Sequence, residues 1–321
     1  MKKVFAVNLK NIEYLGDSIG DDIFLEVEIN GSFLKYNRKI KHDVLAQVNQ
    51  EIGYFETEKN NLSLPVNIKI TEDDILFDDI GSTKGLLKID LSLPLSQSIT
   101  FEVKVNEKRG ASGKRVARFQ VILEATAPVR YVEDVDQQGW LKVLLLNNKE
   151  DEVFSIPINL KIQLDSRDEN REHFTILEGV KKDTKASVLL KEDGTSRFVI
   201  INPHKKPVNL IYSISKKTLK FGKKVYKTTD YPEAPWIKGF YDIEIPDDPH
   251  KLGLRFIDIA PHATTWFRTN HPDGDRYLHT GGLSLGCITL IEKERWEELY
   301  LFLISARKGD NLNVGTITVV D

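Results

Sequence analysis

Four segments in the first 125 residues alternate apolar and polar side chains with period two, and that alternation limits what the chain can fold into. They are DIFLEVEIN (22–30), LKIDLSLPL (87–95), ITFEVKVNE (99–107) and VARFQVILEA (116–125). Successive side chains of a strand point to opposite faces, so such a segment buries one face and wets the other. Turn signals divide the segments: Asn30-Gly31, Asp78-Asp79-Ile80-Gly81, and Lys108-Arg109-Gly110 with Gly113. Residues 1–128 therefore read as an antiparallel β-sandwich. The acidic stretch Glu72-Asp73-Asp74 with Asp78-Asp79 lacks a calcium-loop spacing and reads as a solvated turn.

EATAPVRYVEDVDQQGW (124–140) looks like a joint, because Pro128 interrupts the strand pattern and an acidic, Gln-rich turn follows. A second domain over 129–321, with its core at about 185–321, follows from that boundary. WLKVLLLNN (140–148), SIPINLKIQL (155–164), ASVLLKEDGTSRFVII (186–201) and VNLIYSISKK (208–217) are again strand-like, with a hairpin turn signal at Glu192-Asp193-Gly194. Near the end the period changes. In LIEKERWEELYLFLISARKGD (290–310), Trp296, Leu299, Tyr300, Leu303 and Ile304 recur at helical spacing. Arg307 and Lys308 suit the last turn of that helix and Gly309 its cap. The fold class is mainly β, with one helix late in the chain.

Charge excludes some partners. Lys and Arg number 45 against 48 Asp and Glu, a net charge of −3 with no basic excess for nucleic acid. No stretch reaches the roughly 18–20 apolar residues that span a bilayer. The N-terminal MKKVFAVNLK has too short an apolar run for a Sec-type export signal, so synthesis in the cytoplasm is expected. One cysteine forms no internal disulfide. The histidines and that cysteine show no compact metal spacing, so neither a metal nor another cofactor is expected.

The single cysteine, Cys287, lies in LHTGGLSLGCITL (278–290). A lone cysteine is by default a small buried hydrophobe; this context argues for a nucleophile. RYLHT presents His279 at the end of a strand, and Gly281-Gly282 allow the chain to turn back. Gly286 removes a side chain beside the sulfur, Ser284 supplies a hydroxyl at the mouth, and the Cys287 N–H is a candidate oxyanion donor. All seven histidines, His42, His173, His204, His250, His262, His271 and His279, precede Cys287, so a cysteine-first protease order is impossible.

SLGCITL resembles the S-x-G-C-[IV] signature of the L,D-transpeptidases, the YkuD-type enzymes of bacterial peptidoglycan. APWIKGFYDIEI (234–245), the helix after the cysteine and the late Val314-Gly315-Thr316 strand are similar to that family too, over roughly 185–321. Leu285 stands where the family usually has His, and Thr289 where many members have Arg or Asn. The resemblance implies a YkuD-like β-rich domain performing cysteine-dependent acyl transfer on stem peptides, as an L,D-transpeptidase or L,D-carboxypeptidase. Cys287 would attack the carbonyl and His279 would move the proton, with a backbone carbonyl orienting the imidazole. His271, sixteen residues upstream of the cysteine, has the family's more usual spacing and is the alternative base. Arg268 would clamp a substrate carboxylate, with Arg255 and Arg276 as rivals, and Tyr241 and Trp236 would wall the cleft. Peptidoglycan lies outside the cytoplasm, so a non-Sec route is implied, for instance as an exported effector. Residues 1–128 would then dock to a secretion machine or another protein. The competing expectation is a catalytically weak YkuD-like binding module for cell-wall glycan or protein.

Overall fold

The computed structural model describes residues 1–73, 78–107, 115–146 and 152–321. Three sequence expectations reach outside them: the turn at 108–113 lies wholly outside, as do Asp74 of the acidic stretch and residues 147–148 of the strand-like segment 140–148. The chain divides into two compact units, Met1–Pro128 with Asp165–Asp168, and Val129–Leu164 with Glu169–Asp321.

The first unit contains β1 (Lys2–Gly16), β2 (Asp22–Ile29), β3 (Ser32–Lys39), β4 (Leu45–Thr57), β5 (Asn61–Glu72), β6 (Asp79–Asp90), β7 (Gln97–Asn106) and β8 (Val116–Thr126). Its alternation is realised on β2, β7 and β8, whereas LKIDLSLPL is strand only as far as Asp90, the end of β6, and residues 91–95 turn. Ile23, Leu25, Val27 and Ile29 are fully buried on β2, and Ala117, Phe119, Val121, Leu123 and Ala125 on β8. One antiparallel sheet runs β3-β2-β5-β6; a second places β1 between β4 and β8, with β7 outside β8. Their inner faces share one apolar core, which makes the unit a sandwich. Asn30 (φ 46°) and Gly31 (φ 87°) turn the β2–β3 hairpin in the mirror-image geometry that favours this residue pair. The acidic stretch departs from expectation. Glu72 and Asp79 face each other across β5 and β6 and are buried, so they are not a solvated turn.

The second unit contains β9 (Val129–Val132), β10 (Trp140–Leu145), β11 (Glu152–Pro157), β12 (Lys161–Arg167, its last residues counted with the first unit), β13 (Arg171–Ile176), β14 (Lys185–Leu189) and β15 (Phe198–Val199). The Glu192-Asp193-Gly194 turn forms, with Gly194 at φ 76°, yet it makes no hairpin: β15 pairs with β9, while β14 pairs with β10 and β13. SIPINLKIQL is two strands, because Asn159 (φ 67°) breaks it between β11 and β12.

There follow β16 (Val208–Ser213), β17 (Thr218–Phe221), β18 (Lys224–Thr229), β19 (Gly239–Glu244), β20 (Phe267–Thr269), β21 (Arg276–Thr280), β22 (Ile288–Leu290), α1 (Trp296–Ser305) and β23 (Asn313–Val320). Among the described residues, the eight strands of this set close into a barrel in the order β16-β17-β18-β22-β21-β20-β19-β23. Two of its contacts are parallel, β16 with β23 and β21 with β22. Tyr212, Leu219, Tyr226, Phe267, Leu278, Ile288 and Leu290 are buried in this unit. The helical stripe reads true: Trp296, Leu299, Tyr300, Leu303 and Ile304 are all buried. The helix stops earlier than expected, because Ala306 is extended and Arg307 lies beyond it. Arg307 caps it all the same, donating to the carbonyls of Ile304 (3.0 Å) and Ala306 (2.7 Å).

Candidate active site

The parallel register of β21 and β22 builds the site. Leu278 pairs with Ile288 and His279 with Thr289. The seven residues from Gly281 to Cys287 carry the chain back so that β22 starts beside β21. The pair of glycines therefore serves a crossover between parallel strands, not an antiparallel hairpin.

His279 is buried and fixed on three sides. Nδ1 lies 2.8 Å from the Thr280 carbonyl, which accepts only, so Nδ1 carries the proton and Nε2 keeps a lone pair. The Thr289 hydroxyl is 3.1 Å from Nε2. The Trp266 ring stacks on the imidazole at 4.0 Å, and His250 stacks on the far side of Trp266 at 4.4 Å. Burial pushes the imidazole down to about 4, and the nearby His250 acts in the same direction, against the Thr280 carbonyl. His279 is thus neutral at pH 7.

The effect of this shift on stability has a definite sign. The unfolded imidazole binds its proton near 6.5 and the folded one near 4. Stability from this group is complete above about pH 6.5 and lost as the pH falls toward about 4, a span of about 3 kcal/mol. Burial lowers His271 as well, with the same sign. Urea unfolding between pH 7 and pH 5 is expected to show about 2 kcal/mol of that loss, and His279→Gln to remove much of it.

Cys287 is 9% exposed, at the head of β22. Burial pushes its thiol up, against the Tyr277 backbone N–H and the Arg276 guanidinium. The resting pair is therefore neutral thiol and neutral imidazole. Among the described residues, neither His279 nor His271 hydrogen-bonds the sulfur.

The loop before the cysteine is braced from within. Ser284 Oγ donates to the Cys287 carbonyl at 2.6 Å and accepts from the Gly286 N–H at 3.3 Å. Its hydroxyl is spent in the turn instead of standing at a mouth. Arg276 is buried and structural: it donates to the carbonyls of Ala234 (3.0 Å) and Gly286 (3.3 Å) and to Asp273 (2.8 Å). Leu285 is 87% exposed, its side chain turned to solvent. Gly286 sits at φ 112°, where only glycine is at ease. An added Cβ would meet no neighbour nearer than the Arg276 guanidinium at 3.9 Å, so the cost of Gly286→Ala is backbone strain. That variant is expected to lose about 1–2 kcal/mol in denaturant unfolding.

The other expected residues form a second group. His271 is buried, stacked on Tyr241 at 5.0 Å and edge-on to Trp236 at 4.9 Å, with the Arg276 guanidinium 5.5 Å over the Trp236 ring. Tyr241 and Trp236 are buried, so they are packing partners of His271 and not walls of an open cleft. His271 Nδ1 accepts the Asp273 N–H at 3.2 Å. Arg268 pairs in register with Tyr277 and is bridged to Asp275 at 3.3 Å, leaving it part-exposed next to the strand whose N–H meets the thiol. Arg255 is exposed. Among the described residues, Asp247, Asp248 and His250 bring ligand atoms within 4.8 Å of one another, beside the Trp266 stack. The sequence pattern pointed neither to Trp266 nor to the contact of Thr289 with His279. Only a parallel β21–β22 register could have foretold that contact.

No family model matches the sequence, and no curated protein does. Among solved structures, the chain is similar over 39% of its length to a C2-type domain of plant extended synaptotagmin 1, covering 94% of that domain at 14% identity and a TM-score of 0.22. It is similar over 60% of its length to human GIVD cytosolic phospholipase A2, at 9% identity and a TM-score of 0.24, and spans only 31% of that enzyme. Scores this low carry no argument about the chain.

Proposed function

We propose that Cys287 is the nucleophile of an acyl-transfer enzyme acting on peptidoglycan stem peptides, with His279 as its base. The observation that carries this reading is the parallel β21–β22 pair. It sets the thiol and an imidazole of fixed tautomer on neighbouring strands, two residues apart in register. Nε2 carries no proton, and once the Thr289 hydroxyl turns from it to the Leu283 carbonyl its lone pair accepts the thiol proton as Sγ bonds to the substrate carbonyl carbon. The C–N bond to the terminal D-amino acid then breaks, and the proton passes from Nε2 to the leaving amine. Water completes a carboxypeptidase cycle on the thioester; an acceptor amine completes a transpeptidase cycle. Substrate binding closes the gap between sulfur and imidazole, as is common where resting catalytic contacts are long. Export by a non-Sec route, with residues 1–128 as a docking domain, belongs to the same proposal.

A second reading has its own support. The raised thiol and the occupied Nε2 suit a binding module that keeps the scaffold without the chemistry. Incubation with disaccharide-tetrapeptide fragments, followed by mass spectrometry, separates the two. Loss of terminal D-alanine with the wild type, and not with Cys287→Ala, supports the enzyme. A folded wild type that releases no D-alanine supports the module.

A further inference from the structure

The Thr289 hydroxyl lies between two acceptors. Nε2 of His279 is 3.1 Å away, and the Leu283 carbonyl, on the loop that leads to Cys287, is 3.4 Å away. Thr289 is fully buried, so no water competes for these contacts. A hydroxyl has one proton and two lone pairs. With neutral His279 it donates to Nε2. With an imidazolium, Nε2–H donates to Oγ1 and the hydroxyl proton turns to the Leu283 carbonyl. Both states are satisfied by one rotation about the C–O bond, and the one added proton is the one that Nε2 takes up.

We propose that Thr289 is a positioning residue that holds Nε2 of His279 and stabilises the imidazolium formed during acyl transfer. The catalytic part rests on the reading of His279 as the base. The hydrogen bond to the charged ring is the stronger of the two, so the hydroxyl favours the protonated state. The titratable groups around the imidazole are His250 across the Trp266 ring, with its partner Asp247 at 3.6 Å, Tyr277 on the same strand, and Cys287. The Arg276 guanidinium, from the same strand, reaches the Gly286 carbonyl at 3.3 Å and acts on the Cys287 thiol. The 281–286 loop, Gly-Gly-Leu-Ser-Leu-Gly, adds no titratable side chain.

The test uses the full chain with Thr289→Val, which keeps the shape and removes the hydroxyl, and Thr289→Ser, which restores it. Nitrogen-15 NMR at pH 7 reads Nε2 directly. Thr289→Val is expected to move Nε2 to the value of an unbonded lone pair, and Thr289→Ser to return it. Turnover of the tetrapeptide fragment is expected to fall roughly 10- to 100-fold in Thr289→Val, with its acid limb displaced to lower pH by about one unit, and to recover in Thr289→Ser. An Nε2 signal unchanged in Thr289→Val, or a Thr289→Ser protein that behaves like it, overturns the proposal. A wild type that releases no D-alanine overturns the acyl-transfer reading instead; the nitrogen shifts then judge the Thr289 contact by themselves.

Discussion

Release of D-alanine from a disaccharide-tetrapeptide is expected to fall at least about a thousandfold in Cys287→Ala, because no other group at the site can form the thioester. His279→Ala is expected to lose a comparable factor, and the double variant little more, since nucleophile and base act as one unit. His271→Ala is the control. His271 packs against Trp236 and Tyr241, and its loss is expected to lower stability more than turnover. A His271→Ala protein that folds normally and is as inactive as His279→Ala would transfer the base to His271. The pH dependence has a definite direction. With the imidazole near 4, the acid limb of turnover lies well below neutrality. With the thiol raised by burial, alkylation by iodoacetamide at pH 7 is slower than for a free cysteine and accelerates as the pH rises.

Glu178→Ala is expected to destabilise the second unit by about 3–5 kcal/mol. The carboxylate is 2% exposed and Arg307 is 8% exposed. Glu178 Oε1 accepts from Arg307 Nε at 2.9 Å and from the Lys161 N–H at 2.9 Å, and lies 3.4 Å from His204 Nε2. Burial pushes the carboxyl up, yet His204 and Arg307 outweigh it and hold it below the usual carboxylate range. Removing it leaves a buried guanidinium that still serves the Ile304 and Ala306 carbonyls. The cost is therefore an uncompensated charge at the end of α1, not the net worth of the ion pair. The paired replacement Glu178→Leu with Arg307→Met is expected to lose less than Glu178→Ala alone. Thermal unfolding of the three proteins checks both statements, and a double variant worse than the single one would sink the argument.

Much of this was legible in the sequence. Period-two alternation marked β2, β7 and β8, Asn30-Gly31 marked a hairpin, and the stripe from Trp296 to Ile304 marked the helix and its buried face. These are local patterns, and local backbone preference together with one buried face decides them. Strand partners are not local. Gly194 signalled a turn but not that β15 would leave β14 for β9. Likewise the motif around Cys287 named a candidate nucleophile and base, whereas the parallel pairing of β21 with β22 decided which groups meet them. That pairing put Thr289 against Nε2, turned Ser284 inward, and gave Arg276 to the Gly286 carbonyl instead of to a substrate. The sequence determined which side chains are candidates for the chemistry. The tertiary structure alone decided their hydrogen-bond partners and their burial, because both depend on strands and loops distant in the chain being brought side by side.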